Sequence, residues 1–204
     1  KKNLVFKRSY WLYYALTFMS GARRQIFVVF AAFLMVEKFN YSVSDIAILF
    51  IINHTFNWLF ASKIGQLVGK FGERKALTFE YCGLFLVFYA YAYVENAMLA
   101  GALYVVDHLF FSLAIAIKTY FQKIAEPSDI ASTAGVAFTI NHIAAVFIPF
   151  SFGLVWLISP KFVFLMGAFM SLISLILARN IPNNPKFGNE VIWDFINRSN
   201  FKRL

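Results

Sequence analysis

A chain of 204 residues that is 60% hydrophobic and 14% charged, with a mean hydropathy of +0.66, carries more apolar surface than a soluble core of that size can hide. A formal charge of +9 would point a soluble protein toward nucleic acid, but here the basic residues flank apolar stretches, so the charge reads as topological and no nucleic-acid partner is expected. The single Cys82 excludes an internal disulfide framework and a cysteine metal cluster.

A helix needs about 20 mostly apolar residues to cross the hydrocarbon layer. Six stretches qualify: 10–36, 46–68, 76–94, 97–121, 130–158 and 162–178. They predict an all-α, multi-pass membrane protein, a six-transmembrane-helix bundle over 10–178. A basic lead-in occupies 1–9 and a polar tail 179–204. The first stretch is too long for a signal-peptide core and no small-residue cleavage pattern follows it, so it is expected to be retained. Basic residues mark the cytoplasmic side. Fifteen of the nineteen Lys and Arg, including Lys1, Lys2, Lys7, Arg8, Lys63, Lys118, Lys123, Arg179, Lys186, Arg198, Lys202 and Arg203, fall on one side of the six spans, against Lys38 and Lys161 on the other. Both termini are therefore expected in the cytoplasm, and a plasma or bacterial inner membrane is the expected location.

Taken in order, the spans differ in polar content. The first holds Ser20, Gly21, Arg23, Arg24 and Gln25; the second Asn53, His54 and Asn57; the fourth Asp107 and His108; the fifth Thr139, Asn141 and His142. The third has Glu80 and Cys82, read as near its cytoplasmic end, and the sixth only Ser171 and Ser174. Gly21, and Pro149 with Gly153, suit loosened helices, while Gly65 and Gly69 suit a close helix contact. In the tail, Val191, Ile192, Trp193, Phe195 and Ile196 form an amphipathic patch that suits the membrane surface or a disordered end equally.

Ionisable groups at bilayer depth cost several kcal/mol unless they face protein or water. At about 1.5 Å per residue, Arg23, Asn53 to Asn57, Asp107 and Asn141 share one depth near the midplane. Helices one, two, four and five are thus expected to line a water-accessible cavity, with three and six facing lipid, as in a transporter. Arg23, Arg24, Gln25, Asn53, Asn57 and Asn141 are candidate substrate contacts, and Asp107 with His108 a candidate proton-coupling site or ion pair. For Asn53 and Asn57, hydrogen bonds between helices are an equal alternative, and His54 and His142 are expected to pack. Successive residues point about 100° apart on a helix, so Arg23 and Arg24 cannot both meet Asp107, the one acid assigned to that depth. One guanidinium is left for an anion.

After the second span the chain reads Gly65-Gln66-Leu67-Val68-Gly69-Lys70-Phe71-Gly72-Glu73-Arg74-Lys75. This resembles the major facilitator superfamily signature G-x-L-a-D-R-x-G-R-R/K, with Gly65, Leu67, Lys70, Gly72, Arg74 and Lys75 matching by identity or charge. Gly69 stands where the family has an acid and Glu73 where it has a base, a wear typical of the copy in the C-terminal half of these transporters. Pro149 and Gly153 faintly echo its glycine-proline motif. The resemblance covers 10–178. It implies one six-helix half of a twelve-helix transporter, working by alternating access, with helices one, two, four and five facing the central site. Gly65, Leu67, Lys70, Gly72, Arg74 and Lys75 would be its cytoplasmic gate. A second six-helix half, on the same longer polypeptide, another chain or a second copy, is the implied partner.

The expected function is therefore part of a secondary active transporter for a small, anionic solute, with proton symport as one coupling mode and no cofactor or metal. A non-transporting receptor or assembly subunit on the same half-fold is the alternative. An enzyme is not expected, as G-x-S-x-G, H-E-x-x-H and a carboxylate-rich helix pair are lacking, and no filter or re-entrant loop suggests a channel.

Overall fold

The computed structural model describes residues 6–193; the expectations placed on Lys1, Lys2, Phe195, Ile196, Arg198, Lys202 and Arg203 lie outside them. Six helical rods follow one another: α1 (Arg8–Phe39), α2 (Val43–Phe71), α3 (Glu73–Ala92), α4 (Ala97–Ile124), α5 (Pro127–Ile158) and α6 (Pro160–Arg179). Five of them are long and apolar enough to cross a membrane, and α3 is the exception. It is 20 residues long, but its Glu73-Arg74-Lys75 start, Glu80 and tyrosines dilute its apolar character.

The helix ends lie where local chemistry stops them. Asn40 takes the left-handed conformation (φ 57°), which lets the Tyr41 N–H reach the Met35 carbonyl at 3.1 Å and closes α1. Ser42 then caps α2: its Oγ accepts from the Asp45 N–H at 3.2 Å, and the Asp45 carboxylate accepts from the Ser42 N–H at 2.8 Å. Gly72 both ends α2 and opens α3 at φ +85° and ψ 154°, a region that side chains other than glycine avoid. Asn96 caps α4 through the Leu99 N–H at 3.0 Å, and Pro127 and Pro160 occupy the first turns of α5 and α6, where a missing N–H costs nothing. Most helix ends overrun the apolar stretches by one to three residues, because interfacial polar residues still satisfy their backbone in a helix, while α3 stops at Ala92, two residues short of its stretch. α5 continues through Pro149, so the expected loosening there is not a break.

Contacts at the ends fix the direction of the rods. At one end Lys7 pairs with Asp129 at 2.6 Å and Glu126 at 3.0 Å, Lys123 with Glu73 at 2.6 Å, and Arg74 donates to Asn183 at 3.1 Å. The two carboxylates hold the Lys7 ammonium above its usual range. At the other end Lys38 donates to the Val94 carbonyl and to Glu95, both at 2.8 Å, and Lys161 sits 4.0 Å from the Tyr93 ring centroid. α3 therefore runs the full distance between the two ends, like the other five.

Packing corrects one expectation. α3 and α6 form the most extensive contact in the bundle, made possible by Gly167 against Phe88, and Gly83 against Phe110 brings α4 equally close to α3; at both glycines an added Cβ would collide with the ring. Leu77, Tyr81, Leu84, Phe88 and Tyr91 of α3 are buried, so α3 is core rather than a lipid-facing helix. α2 buries only Asn53 and Val68. A count of polar residues per helix does not say which face they occupy, and the tyrosines that dilute the hydropathy of α3 are what it buries. Gly65 and Gly69 meet nothing within 4 Å and make no close helix contact in this chain.

The described part of the tail also departs from expectation. Asn180 accepts from the Trp193 N–H at 2.6 Å and donates to the Trp193 carbonyl at 3.0 Å, and its own carbonyl takes the Ile192 N–H at 2.9 Å. Tyr120 donates to the Glu190 carbonyl at 2.6 Å. Residues 180–193 thus fold back on α4, and Val191, Ile192 and Trp193 belong to that loop rather than to a surface helix.

Candidate functional site

Gly21 sets the distance between α1 and α5. A Cβ there would lie 2.5 Å from Asn141 Oδ1 and 3.6 Å from the Ala144 Cβ, so only glycine admits α5 this closely. Its role is close approach, and α1 is regular at that point. Two residues on, the 100° step of the helix separates the arginines. Arg23 turns into the bundle, 1% exposed, with Cζ 4.3 Å from the Tyr81 ring centroid. Arg24 is exposed and lines a cavity, with Cζ 5.6 Å from the Phe111 ring centroid.

That cavity, about 670 Å³, is lined by Arg24, Gln25 and Val28 of α1, Phe50, His54 and Asn57 of α2, the 107–115 stretch of α4, and Asn141, His142 and Ala145 of α5. α3 and α6 contribute nothing to it. A second hollow of about 420 Å³ shares Arg24, Phe111 and Asn141 and leads past Thr17 and Ser20 to Lys118. Of the candidate contacts, Arg24, Gln25, Asn57, Asp107, His108 and Asn141 come together here. Arg23 and Asn53 do not: both are buried, and among the described residues no atom of the Arg23 guanidinium or the Asn53 amide has a hydrogen-bond partner. Arg23 is a core residue and not a solute contact. Asn53 and Asn57 share a face only loosely, because the bundle covers one and leaves the other open.

Asp107 forms no ion pair with either arginine among the described residues; its nearest cation candidate is His108, Nδ1 to Oδ2 3.8 Å. Glu80 of α3 lies within electrostatic reach of both Arg23 and Asp107. Glu80 is fully buried, and both its oxygens lack hydrogen bonds. Asp107 is therefore not the only acid at this depth. The signal for Glu80 is in the sequence: α3 starts at Glu73, which puts Glu80 about 10 Å into the helix, whereas counting from 76 leaves it near the edge.

Two of the three helices that carry Arg23, Arg24, Glu80 and Asp107, namely α1 and α4, are irregular beside them. α1 becomes a π-helix over Ile26–Ala31, directly after Gln25, and α4 a 3-10 helix over Ser112–Ala114, four residues after His108. Such irregularities cluster at functional sites and hinges. Neither segment contains Gly or Pro, so composition gives no warning of them.

Comparison with models of known protein families, with characterised proteins and with solved structures gives no match.

The motif after α2 divides by structure. Gly72 is required by its backbone angles. Arg74 reaches Asn183, and Lys75 lines an apolar hollow of about 370 Å³ with Leu67 and Phe71. Lys70 lies 6.0 Å from the Phe71 ring centroid. Glu73, 2% exposed, is held by Lys123, so an acid at this position has a partner within the chain.

Proposed function

We propose that this chain is one six-helix half of a secondary transporter of the major facilitator type, moving a small anionic solute by alternating access. In this reading α3 also crosses the membrane, both chain ends are cytoplasmic, and the motif from Gly65 to Lys75 gates the cytoplasmic side. The observation that carries it is the cavity that gathers Arg24, Gln25, Asn57 and Asn141 from helices distant in sequence. Arg24 supplies a permanent cation with five donors, and no carboxylate forms an ion pair with it among the described residues. A solute carboxylate or phosphate group suits that guanidinium. The cavity is one wall of a site, and a second six-helix half would supply the other across the exposed faces of α2 and α5, which carry Ile51, Trp58, Phe138 and Phe150.

Uptake by proteoliposomes containing the membrane-embedded protein tests the reading. Arg24→Ala is expected to abolish anion uptake while leaving the protein folded. Uptake of every anionic solute at the unmodified rate by that variant would remove the binding role. A receptor or assembly subunit on this fold would bind an anion with no uptake at all.

A further inference from the structure

The chain contains three histidines, and His54, His108 and His142, from three different helices, all line the larger of the two cavities that Arg24 lines. A packing role for His54 and His142 does not explain why no histidine lies anywhere else. Two of the rings are held in the same way. His108 Nδ1 lies 3.3 Å from the Tyr104 carbonyl and His142 Nδ1 2.9 Å from the Phe138 carbonyl. A carbonyl only accepts, so Nδ1 carries the proton in both, and Nε2 is left without a partner in its own helix. In that tautomer Nε2 accepts when the ring is neutral and donates when it is charged. His108 is within electrostatic reach of both Arg24 and His54. Imidazole is the side chain whose charge ordinarily changes near neutrality.

The charged groups around the rings come from every element packed there. Arg24 faces them from α1, Asp107 lies beside His108 on α4, and Arg23 and Glu80 sit behind Asp107 in the core. Of the cavity-lining groups, Arg24 is the permanent cation, Asp107 is buried beside His108, and the three imidazoles are the groups whose charge can change near neutrality.

We infer that His54, His108 and His142 form, with Arg24, a proton-loaded oxyanion site, in which each proton bound at an imidazole Nε2 adds one positive charge and one donor for the solute's oxygens. The inference rests on the transporter reading of this cavity and deepens it. The anion enters with protons taken from water on the more acidic side, and the same protons leave with it on the other. The proton carriers are then the histidines together rather than Asp107 with His108 alone.

Equilibrium binding of sulfate, whose own charge is constant over this range, and of acetate is measured on the detergent-solubilised full protein between pH 7.5 and 5.5. Sulfate is expected to bind about tenfold more tightly at pH 5.5 than at pH 7.5, the size of one added charge-assisted hydrogen bond, with proton uptake on binding. The combined H54Q, H108Q and H142Q variant is expected to bind weakly at all pH values with no slope. H108R, which keeps the charge permanently, is expected to bind sulfate at pH 7.5 more tightly than the unmodified protein and guards against a misfolded triple variant. Binding that depends on Arg24 but not on pH would overturn the inference and leave the anion reading standing, as would a slope that survives in the triple variant. No binding of either anion at any pH would overturn both.

Discussion

In a Gly21→Ala variant the added methyl would lie 2.5 Å from Asn141 Oδ1, well inside the roughly 3.4 Å of ordinary contact. Relief needs a displacement of about 1 Å, and Asn141 is not free to give it, because its amide donates to the Ala137 carbonyl at 3.1 Å. Rotating the side chain away sacrifices that hydrogen bond, worth about 1 kcal/mol, and separating the helices costs about 1–3 kcal/mol. Against this, alanine is better than glycine inside a helix by about 1 kcal/mol. The net expectation is a loss of about 1 kcal/mol, or an apparent melting temperature lower by roughly 2–4 °C. In an Asn141→Ala background the clash is gone and only the propensity gain remains, so the same substitution should stabilise by about 1 kcal/mol. The assay is a double-mutant cycle of thermal unfolding in detergent. Equal effects of Gly21→Ala in the two backgrounds would show that the α1–α5 crossing is not set by this contact.

Arg23→Met exchanges a buried guanidinium that has neither ion pair nor hydrogen bond among the described residues for an apolar side chain, so it is expected to raise the melting temperature, whereas Arg24→Met should leave it within about 1 °C and act on binding; melting of the two variants side by side checks the division. Gly72→Ala, forced to φ +85°, should cost about 1–3 kcal/mol, seen as the same kind of shift, with Gly65→Ala near neutral because that position faces open space. Cysteines placed at Lys75 and Glu95, after Cys82→Ser, should be labelled by an impermeant reagent from opposite sides of the membrane; labelling from the same side would remove the proposed crossing of α3.

The six rods are legible in the sequence because each is an unbroken apolar run between capping residues such as Ser42, Asn96 and Pro127. So is the gathering of Arg24, Asn57, Asp107 and Asn141, because helices of similar length place residues of equal count at equal depth. What resists reading is rotation about each helix axis. Arg23 and Arg24 are indistinguishable as letters, yet one is sealed against Tyr81 and the other faces the cavity. Asn53 and Asn57 divide in the same way. Glu80 is hidden by an error of three residues in a helix start, and the fold-back of 180–193 depends on Asn180 clamping a residue thirteen positions away, a pairing no local pattern announces.

The π-helical stretch Ile26–Ala31 has a consequence for how this chain can change length. A turn closed by i to i+5 hydrogen bonds holds one residue more than an α-turn, so α1 carries a surplus residue between its arginines and its far end, stored as a phase offset of about 100°. Deleting one residue there lets the turn relax to α while everything on either side keeps its orientation. Inserting one has no such outlet and rotates Phe33 and Val36 relative to Arg24. Single-residue gaps among descendants of this sequence should therefore collect at 26–31, and single-residue additions should avoid it.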